Sequence, residues 1–233
     1  MGAFLFVLSM LASASAFSKT LWEASGSCTR PGQVVFTFDD GVSKNYPSLL
    51  DILDRESIRA GFFVVGSMAY STRMRGMLAD AHKRGHMIMN HSWSHKNLAK
   101  LNLHELMKEI TDTENMIREV SGVSHKVVRP PYGSIDARLH LRLQRMGYRV
   151  ALWNLDSRDW DARISREQLL KVYADAFEKA DPKKRSFVLL LHDSRLDSIS
   201  LVPEIAGLAR QRGFRIVPFD ACFLEMQNQT GYH

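Results

Sequence analysis

A short apolar stretch, Gln33 to Phe38, ends in two adjacent carboxylates and a glycine, Asp39-Asp40-Gly41. Its β-branched and aromatic residues predict a buried strand. In open parallel sheets and β/α barrels, chemistry lies at the carboxyl ends of the strands. Because successive strand residues point in different directions, the two carboxylates are expected to serve different partners. Taken alone, the stretch fits an ordinary strand followed by an Asp-Gly turn equally well.

The rest of the chain repeats this pattern of strand followed by helix. After the first strand, short apolar runs predict strands at 60–66, 86–90, 126–129, 148–155, 186–191 and 214–217. Apolar residues at helical spacing predict helices at 46–55, 73–84, 104–120, 137–146, 166–179 and 201–212. Such alternation predicts an α/β fold, a parallel sheet covered by helices. With about seven strand units, and cysteines near both ends, we expect a barrel rather than an open sheet.

Residues 1–16 differ from the rest of the chain. An apolar run from Ala3 to Leu11 is followed by small residues from Ala12 to Ala16, which predicts a signal peptide cleaved on secretion. The run is shorter than the roughly 18 apolar residues that span a bilayer, so no stable membrane insertion is expected after cleavage. Residues 17–233 then form one domain, and the expected location is the cell wall or cell surface.

Two further features depend on secretion. Cys28 and Cys222 lie near the ends of the predicted mature chain. In a secreted protein they form one disulfide bond or stay as two free thiols, and the sequence leaves both open. Asn228 begins a glycosylation sequon, Asn-Gln-Thr, near the C-terminus.

The chain carries a formal net charge of +6. Its basic residues are scattered, and no basic run is interleaved with aromatic residues, so nucleic acid is not an expected partner. A mildly basic surface suits a polyanionic cell wall. The sequence does not specify an oligomeric state.

Five of the predicted strands end in polar or special residues. These ends are Asp39-Asp40, His91-Ser92-Trp93-Ser94-His95, Arg129-Pro130-Pro131-Tyr132-Gly133, Asp156-Ser157-Arg158-Asp159-Trp160 and His192-Asp193. Because the carboxyl ends of parallel strands lie at one face of a sheet, we expect these residues to meet. Any one of them is explained by a simple loop, whereas the five together indicate a functional site.

His91 and His95 have the spacing that brings two imidazoles to one metal on a helical turn. A histidine pair alone is more often structural. His82 and His86 share the spacing, but they precede a strand and are expected to lie on the surface at the opposite face. Two histidines with one carboxylate and an open position are typical of a catalytic divalent metal site.

The chemistry implied by such a site is hydrolysis of an amide or ester. A divalent metal lowers the pKa of bound water and polarises a carbonyl. A second carboxylate beside the ligand is suited to accept the proton of the water. His192, which follows a strand elsewhere in the sheet, is suited to protonate a leaving amine.

The five motifs, in this order, resemble the NodB-type polysaccharide deacetylases, carbohydrate esterase family 4, and among them the chitin deacetylases. The residues that carry the resemblance are Thr-Phe-Asp-Asp-Gly, His-Ser-x-x-His, Arg-Pro-Pro-Tyr, Asp-Trp and Leu-Leu-x-His-Asp. The match runs from about Cys28 to Cys222. It implies an irregular (β/α) barrel with seven or fewer strands.

The resemblance also implies a metal site and a substrate pocket. Asp40, His91 and His95 would bind one divalent metal, usually zinc in this family and sometimes cobalt or another ion. Trp160 and Leu190 would line the pocket for the acetyl methyl group. The implied partner is a cell-wall polysaccharide of N-acetylglucosamine, such as chitin, from which acetate is released.

The same resemblance implies the catalytic residues. Asp39 would be the general base, oriented by Arg129. His192 would be the general acid, tuned by Asp159. The backbone N–H of Tyr132 would help to hold the oxyanion, the usual electrostatic device for a tetrahedral intermediate.

Two residues depart from the family pattern, in which an acidic and a small residue often precede the metal histidines. Here Met87 and Met89 stand at those positions. Alternate strand residues share a face, so both are expected on the side of His91, with Met89 crowding the approach to the metal. This crowding motivates an alternative, a catalytically impaired protein that binds cell-wall polysaccharide. A hydrolase of small amides is a third possibility that uses the same residues.

Overall fold

The computed structural model describes residues 26–223. The strands in this part are β1 (Gln33–Asp39), β2 (Gly61–Val64), β3 (Met87–Asn90), β4 (Val127–Val128), β5 (Arg149–Val150), β6 (Leu155–Asp156), β7 (Phe187–His192) and β8 (Arg215–Ile216). The helices are α1 (Tyr46–Arg55), α2 (Thr72–Lys83), α3 (Leu103–Ser121), α4 (Ala137–Arg145), α5 (Arg166–Lys179), α6 (Leu196–Gln211) and α7 (Phe219–Phe223). The predicted signal peptide and the Asn228 sequon lie outside the described residues.

The strands form one parallel sheet in the order β5-β4-β3-β2-β1-β7-β6, with β8 paired to the beginning of β1. The two edge strands, β5 and β6, follow one another in the chain. Ala151 N donates to the Val128 carbonyl at one edge, and Asn154 N donates to the Val188 carbonyl at the other. One segment therefore bridges both edges, and the sheet curls into an irregular (β/α) barrel. This confirms the predicted fold, with seven strands when β5 and β6 are counted as one.

The predicted strand 148–155 is split because a side chain replaces part of the backbone ladder. Asn154 accepts a hydrogen bond from Val188 N at 2.8 Å and donates to the Ser186 carbonyl at 2.9 Å. Asparagine side chains commonly compete with strand and helix hydrogen bonds in this way. The segment consequently pairs with β4 at its start and with β7 at its end, instead of running as one strand.

Strand alternation separates two apolar layers. Phe36, Phe38 and Phe62 face outward and pack in the layer beneath the helices, which is the larger core. Val35 and Phe63 face the barrel interior, in a cluster that includes Cys28, Met87, Met89, Phe219 and Cys222. Cys28 and Cys222 form a disulfide bond across 194 residues, which confirms the disulfide alternative. It closes the barrel interior near the amino ends of the strands.

Three local expectations were wrong. Helix α6 begins at Leu196, five residues before the predicted start at 201, and helix α7 was not predicted at all. His86 is buried rather than on the surface, with 1% of its area exposed, because its Nδ1 accepts a hydrogen bond from Ala60 N at 3.0 Å. Burial, with some help from the nearby positive charge of Arg59, lowers the pKa of His86 to about 4. Within residues 26–223, no helix has the length and apolar character needed to cross a bilayer.

Candidate active site

The two carboxylates at the end of β1 point to different partners, as predicted. Asp39 is the last residue of the strand, and its side chain is buried in the barrel. Asp40 adopts the left-handed backbone conformation, with φ of 69°. This turn directs the Asp40 carboxylate away from Asp39 and toward the histidines that follow β3. Asp40 Oδ1 lies 3.1 Å from His95 Nε2 and 3.4 Å from His91 Nε2.

Arg129 holds Asp39 in place from the end of β4. Its guanidinium is fully buried and donates to Asp39 Oδ1 at 2.6 Å. The remaining donors reach the carbonyls of Ala151 at 3.3 Å and Leu152 at 3.0 Å, and the Phe63 ring lies 3.9 Å from the guanidinium carbon. A planar cation fixed on several sides gives its carboxylate partner a defined orientation. Asp39 Oδ2 is left facing the site.

The segment from His91 to His95 is a loop, not the helical turn expected from the spacing. Both Ser92 and His95 adopt left-handed backbone conformations, with φ of 68° and 58°. Ser92 N donates to Asn90 Oδ1 at 2.9 Å, and His95 N donates to Ser92 Oγ at 3.0 Å. These local bonds bring the two imidazoles to within 5.0 Å between ring centres.

A buried carboxylate on α3 supports the same loop. Glu109 accepts hydrogen bonds from Ser94 N at 2.8 Å and from Ser94 Oγ at 2.6 Å. The carboxylate therefore fixes the backbone immediately before His95. Neither the strand pattern nor the histidine spacing indicated this contact, because Glu109 lies fifteen positions after Ser94, on another element.

Asp40, His91 and His95 fit a divalent metal by the chemistry of their facing atoms. One ligand atom from each lies within 4.8 Å of the others. His91 Nδ1 lies 2.6 Å from the Arg129 carbonyl, and because a carbonyl only accepts, Nδ1 carries the proton and Nε2 offers a lone pair. Asp40 Oδ1 is buried and has no hydrogen-bond donor among the described residues. Lone pairs that converge in this way are stabilised by a bound cation.

Electrostatics at this cluster favour an ionised carboxylate. Burial alone would raise the pKa of Asp40, but protonated imidazoles at His91 and His95, with His192 nearby, hold it well below its usual range. When the two imidazoles are neutral ligands, a bound cation would supply the positive charge instead. Asp40 is therefore ionised at any pH at which the protein would work, as a metal ligand must be.

His192 faces this cluster from the end of β7. Its Nδ1 lies 2.6 Å from Asp159 Oδ1, and its Nε2 lies 3.8 Å from Asp40 Oδ2. Burial alone would lower the pKa of His192, but the hydrogen bond to Asp159 and the charges of Asp159, Asp39 and Asp40 raise it to about 9. Because Nδ1–H donates its hydrogen bond to Asp159, Nε2 is the nitrogen that can transfer a proton to a substrate.

A cavity of about 450 Å³ opens above these groups. Its lining consists of Asp39, Asp40, His91, His95, Tyr132, Trp153, Asp156, Trp160, Leu190 and His192. Every residue predicted to touch metal or substrate is in this lining, while Arg129 and Asp159 lie behind it. Trp153 was not predicted as a site residue, and Asp156 was named among the converging strand ends but was given no role. Trp153 lies between β5 and β6, and the closure of the barrel through this segment brings it to the cavity.

The rim of the cavity is aromatic and exposed. Tyr132 has 68% of its area exposed, and Trp160 has 56%. The Tyr132 ring lies 4.6 Å from that of His95, and its backbone is left-handed, with φ of 62°. Leu190 is buried and lines the interior part of the cavity. The cavity therefore combines an exposed aromatic rim with a buried apolar residue in its interior.

The expected crowding of the metal by Met89 was wrong. Met89 does face the barrel interior. Its terminal methyl carbon lies against Gly61 on β2, so close that a Cβ added to the glycine would be only 2.7 Å away. Gly61 precedes Phe63, the strand partner of Met89, by two residues. The side chain therefore extends toward the amino ends of the strands, into space left by the glycine, and it does not line the cavity. Met87 lies in the same interior cluster.

Comparison with known proteins agrees with the geometry. A sequence profile described as "Polysaccharide deacetylase" matches residues 26–151, which is more than half of the chain. The chain belongs to the polysaccharide deacetylase family. The predicted family resemblance is thereby confirmed.

Two relatives of this chain, and the solved structure of one of them, are informative. A chitin deacetylase of Colletotrichum lindemuthianum is 30% identical over 206 residues, 84% of this chain and 81% of the relative. A peptidoglycan N-acetylmuramic acid deacetylase of Bacillus subtilis is 33% identical over 187 residues, 79% of this chain but only 37% of the relative. The solved structure of the Colletotrichum enzyme superposes with a TM-score of 0.80 at 26% identity, covering 89% of this chain and 96% of that one.

Proposed function

We propose that this protein is a secreted, metal-dependent deacetylase that removes N-acetyl groups from N-acetylglucosamine units of chitin or a related cell-wall polymer, releasing acetate. One observation carries the proposal: three side chains that could bind a metal ion, a carboxylate held by Arg129 and a histidine held by Asp159 face one small cavity. The relatives named as chitin and peptidoglycan deacetylases support a polysaccharide substrate, and the disulfide bond supports an extracellular location.

Asp40, His91 and His95 would hold the metal, with zinc the proposed ion and cobalt or another divalent ion as alternatives. Two histidines and a carboxylate are a donor set that suits zinc, and the cavity leaves an open position beside them. When bound, such an ion supplies a water of lowered pKa and polarises the acetamide carbonyl.

Asp39 is proposed as the general base. Its Oδ1 is occupied by Arg129, so Oδ2 is the oxygen that can take the proton from the attacking water. Oδ2 lies 3.7 Å from His91 Nε2, which places it beside the ligand cluster rather than within it. In this proposal the two adjacent carboxylates have different roles: Asp40 binds the metal, and Asp39 accepts the proton of the water.

His192 is proposed as the general acid. Water adds to the carbonyl carbon, the C–N bond then breaks, and the nitrogen must leave as an amine rather than as an amide anion. The proton on His192 Nε2 satisfies that need, and Asp159 keeps the ring oriented and charged. The products are acetate and a free amine on the sugar.

The remaining cavity residues are proposed to bind the substrate. The backbone N–H of Tyr132 would stabilise the oxyanion, since electrostatic stabilisation of that oxygen is often the largest single contribution to acyl transfer. Trp160 and Leu190 would enclose the acetyl methyl group. The place of Tyr132 in the cavity lining supports its role, and the apolar side chains of Trp160 and Leu190 support theirs.

Acetate release from short N-acetylglucosamine oligomers and from glycol chitin tests the proposal. The protein is treated with chelator and then assayed with zinc or cobalt added. Asp39→Asn is expected to lower turnover by at least about 100-fold, the lower range for a positioned acid or base. Because it leaves the buried charge of Arg129 without its partner, it is also expected to lower the free energy of unfolding, so a native-like circular dichroism spectrum at the assay temperature is the check that the variant is folded. Asp175→Asn makes the same chemical change on the exposed face of α5 and is expected to leave turnover unchanged. Normal acetate release by Asp39→Asn would refute the assignment.

The impaired wall-binding alternative has lost the observation that motivated it, because Met89 points away from the cavity. It would regain support if the metal-loaded protein bound chitin without releasing acetate. A hydrolase of small amides would be favoured if small acetamides turned over and polymers did not.

A further inference from the structure

We infer that Arg195 and Ser198, at the start of α6, position the proposed general acid His192 through Asp159. Ser198 holds the Asp159 carboxylate, and Arg195 holds the backbone of the loop that carries Asp159. The inference rests on the proposed function, because it assigns how His192 is kept ready to protonate the leaving amine. Neither residue touches the substrate cavity, so both are positioning residues.

Ser198 completes the hydrogen bonding of the Asp159 carboxylate. Its hydroxyl donates to Asp159 Oδ2 at 2.5 Å, and the same oxygen accepts His192 N at 2.8 Å. The other oxygen, Oδ1, is the one that holds the His192 ring at 2.6 Å. All three residues are buried, so water does not replace a lost donor easily. Without the Ser198 hydroxyl, one of the two anchors of Oδ2 is gone, and the carboxylate gains freedom to rotate about its χ2 bond.

Arg195 fixes the backbone on which Asp159 sits. Its Nη1 donates to the Asp159 carbonyl at 2.9 Å and to the Asp161 carbonyl at 2.7 Å, and its Nη2 donates to the Ile164 carbonyl. Asp197 pairs with the same guanidinium at 3.1 Å. The loop bound in this way also carries Trp160 on the cavity rim. The planar fork of arginine reaches several separated carbonyls in a fixed geometry that the compact ammonium of lysine does not reproduce.

Separate apolar contacts keep α6 on the barrel. Ile199, Leu201, Val202 and Ile205 are buried in the large core. Ser198→Ala therefore removes one oxygen and leaves the helix anchored. Ser200 lies in the same turn, is exposed, and donates to the Asp197 carbonyl at 3.0 Å. Ser200→Ala is thus a matched control that removes a hydroxyl from the same helix without touching Asp159.

Comparing an amide with an aryl ester distinguishes loss of acid positioning from a general loss of active-site structure. An amide needs its nitrogen protonated before it leaves, whereas 4-nitrophenyl acetate releases a stable phenolate without a proton. Removing a hydrogen bond to a buried charged group typically costs on the order of 10- to 100-fold in rate when the group acts in the transition state. Ser198→Ala is therefore expected to lower kcat on N-acetylglucosamine oligomers by about 10- to 100-fold, with KM and turnover of the aryl ester nearly unchanged.

The experiment measures kcat and KM of wild type, Ser198→Ala, Ser198→Thr, Ser200→Ala and Arg195→Lys on both substrates with zinc added. Ser198→Thr keeps a hydroxyl and is expected to recover most of the amide turnover. Arg195→Lys is expected to lower amide kcat and also raise KM, because the Trp160 loop is loosened. Equal losses on amide and ester, or an amide kcat for Ser198→Ala within twofold of wild type, would overturn the inference. A wild-type protein that releases acetate from neither substrate would overturn the proposed function, and the inference with it.

Discussion

Replacing Arg129 by methionine is the perturbation whose size follows most directly from the structure. Arg129 is fully buried, and its partner Asp39 has 2% of its area exposed. Removing one member of a buried, hydrogen-bonded ion pair leaves an uncompensated charge and typically costs about 3–5 kcal/mol. The substitution also leaves the carbonyls of Ala151 and Leu152 without their donor. We therefore expect a loss of about 3–5 kcal/mol in the free energy of unfolding.

The assay is denaturant unfolding of the metal-free protein with its disulfide intact. In a chain of this length, each kcal/mol lowers Tm by about 2–4 °C, so thermal unfolding should show a fall of roughly 6–20 °C. Arg75→Met is the control, because Arg75 Nη1 lies at the same 2.6 Å distance from Glu119, on the surface. An exposed pair of this kind is worth about 0–1 kcal/mol.

A double substitution separates the charge from the packing. In Arg129→Met with Asp39→Asn, no buried charge remains at the pair, so part of the lost stability should return. The reasoning would be refuted if Arg129→Met cost no more than Arg75→Met, or if the effects of Arg129→Met and Asp39→Asn simply added.

Three further outcomes are expected. Glu109→Gln weakens the support of Ser94 and should lower zinc affinity by about 10- to 100-fold by calorimetry, whereas the exposed Glu119→Gln should not. The pKa of His86 is about 4 in the folded protein and about 6.5 in the unfolded chain. The neutral histidine therefore contributes at most roughly 3 kcal/mol to the free energy of unfolding, and this contribution is present above pH 6.5 and is lost as pH falls toward 4. Denaturant unfolding from pH 7 to 4 checks this, and His86→Gln should flatten that part of the profile. Met89→Leu should leave acetate release within about twofold of wild type, since a volume-conserving core change is well tolerated; a large gain would restore the crowding hypothesis.

The positions of the site residues along the chain were predictable from local pattern. An apolar strand that stops at Asp39-Asp40 or at His192 places those side chains at a strand end whatever the rest of the fold does. Parallel strands share one direction, so the order of the motifs was enough to expect them at one face. The pairing of Cys28 with Cys222 became certain only when the structure joined them.

The directions of side chains were decided by neighbours that are distant in the sequence. Strand alternation gave the correct face for Met89, but its course along the barrel depends on the gap at Gly61 on the adjacent strand. His86 was expected on the surface, and it is buried because the backbone N–H of Ala60 lies against its ring. Periodicity along one segment does not contain information about such contacts between segments.

The sequence by itself determined the alternation of strands and helices, the family, and most of the residues that face the candidate site, though not Trp153. Only the tertiary structure decided how those residues are held. Asn154 splits a predicted strand so that its two halves close the barrel, and Ser198 reaches Asp159 from a helical turn that the sequence pattern did not predict. The physical reason is that strand and helix patterns report burial of apolar surface within a segment. Hydrogen bonds between polar side chains on different segments exist only after the core has brought those segments together.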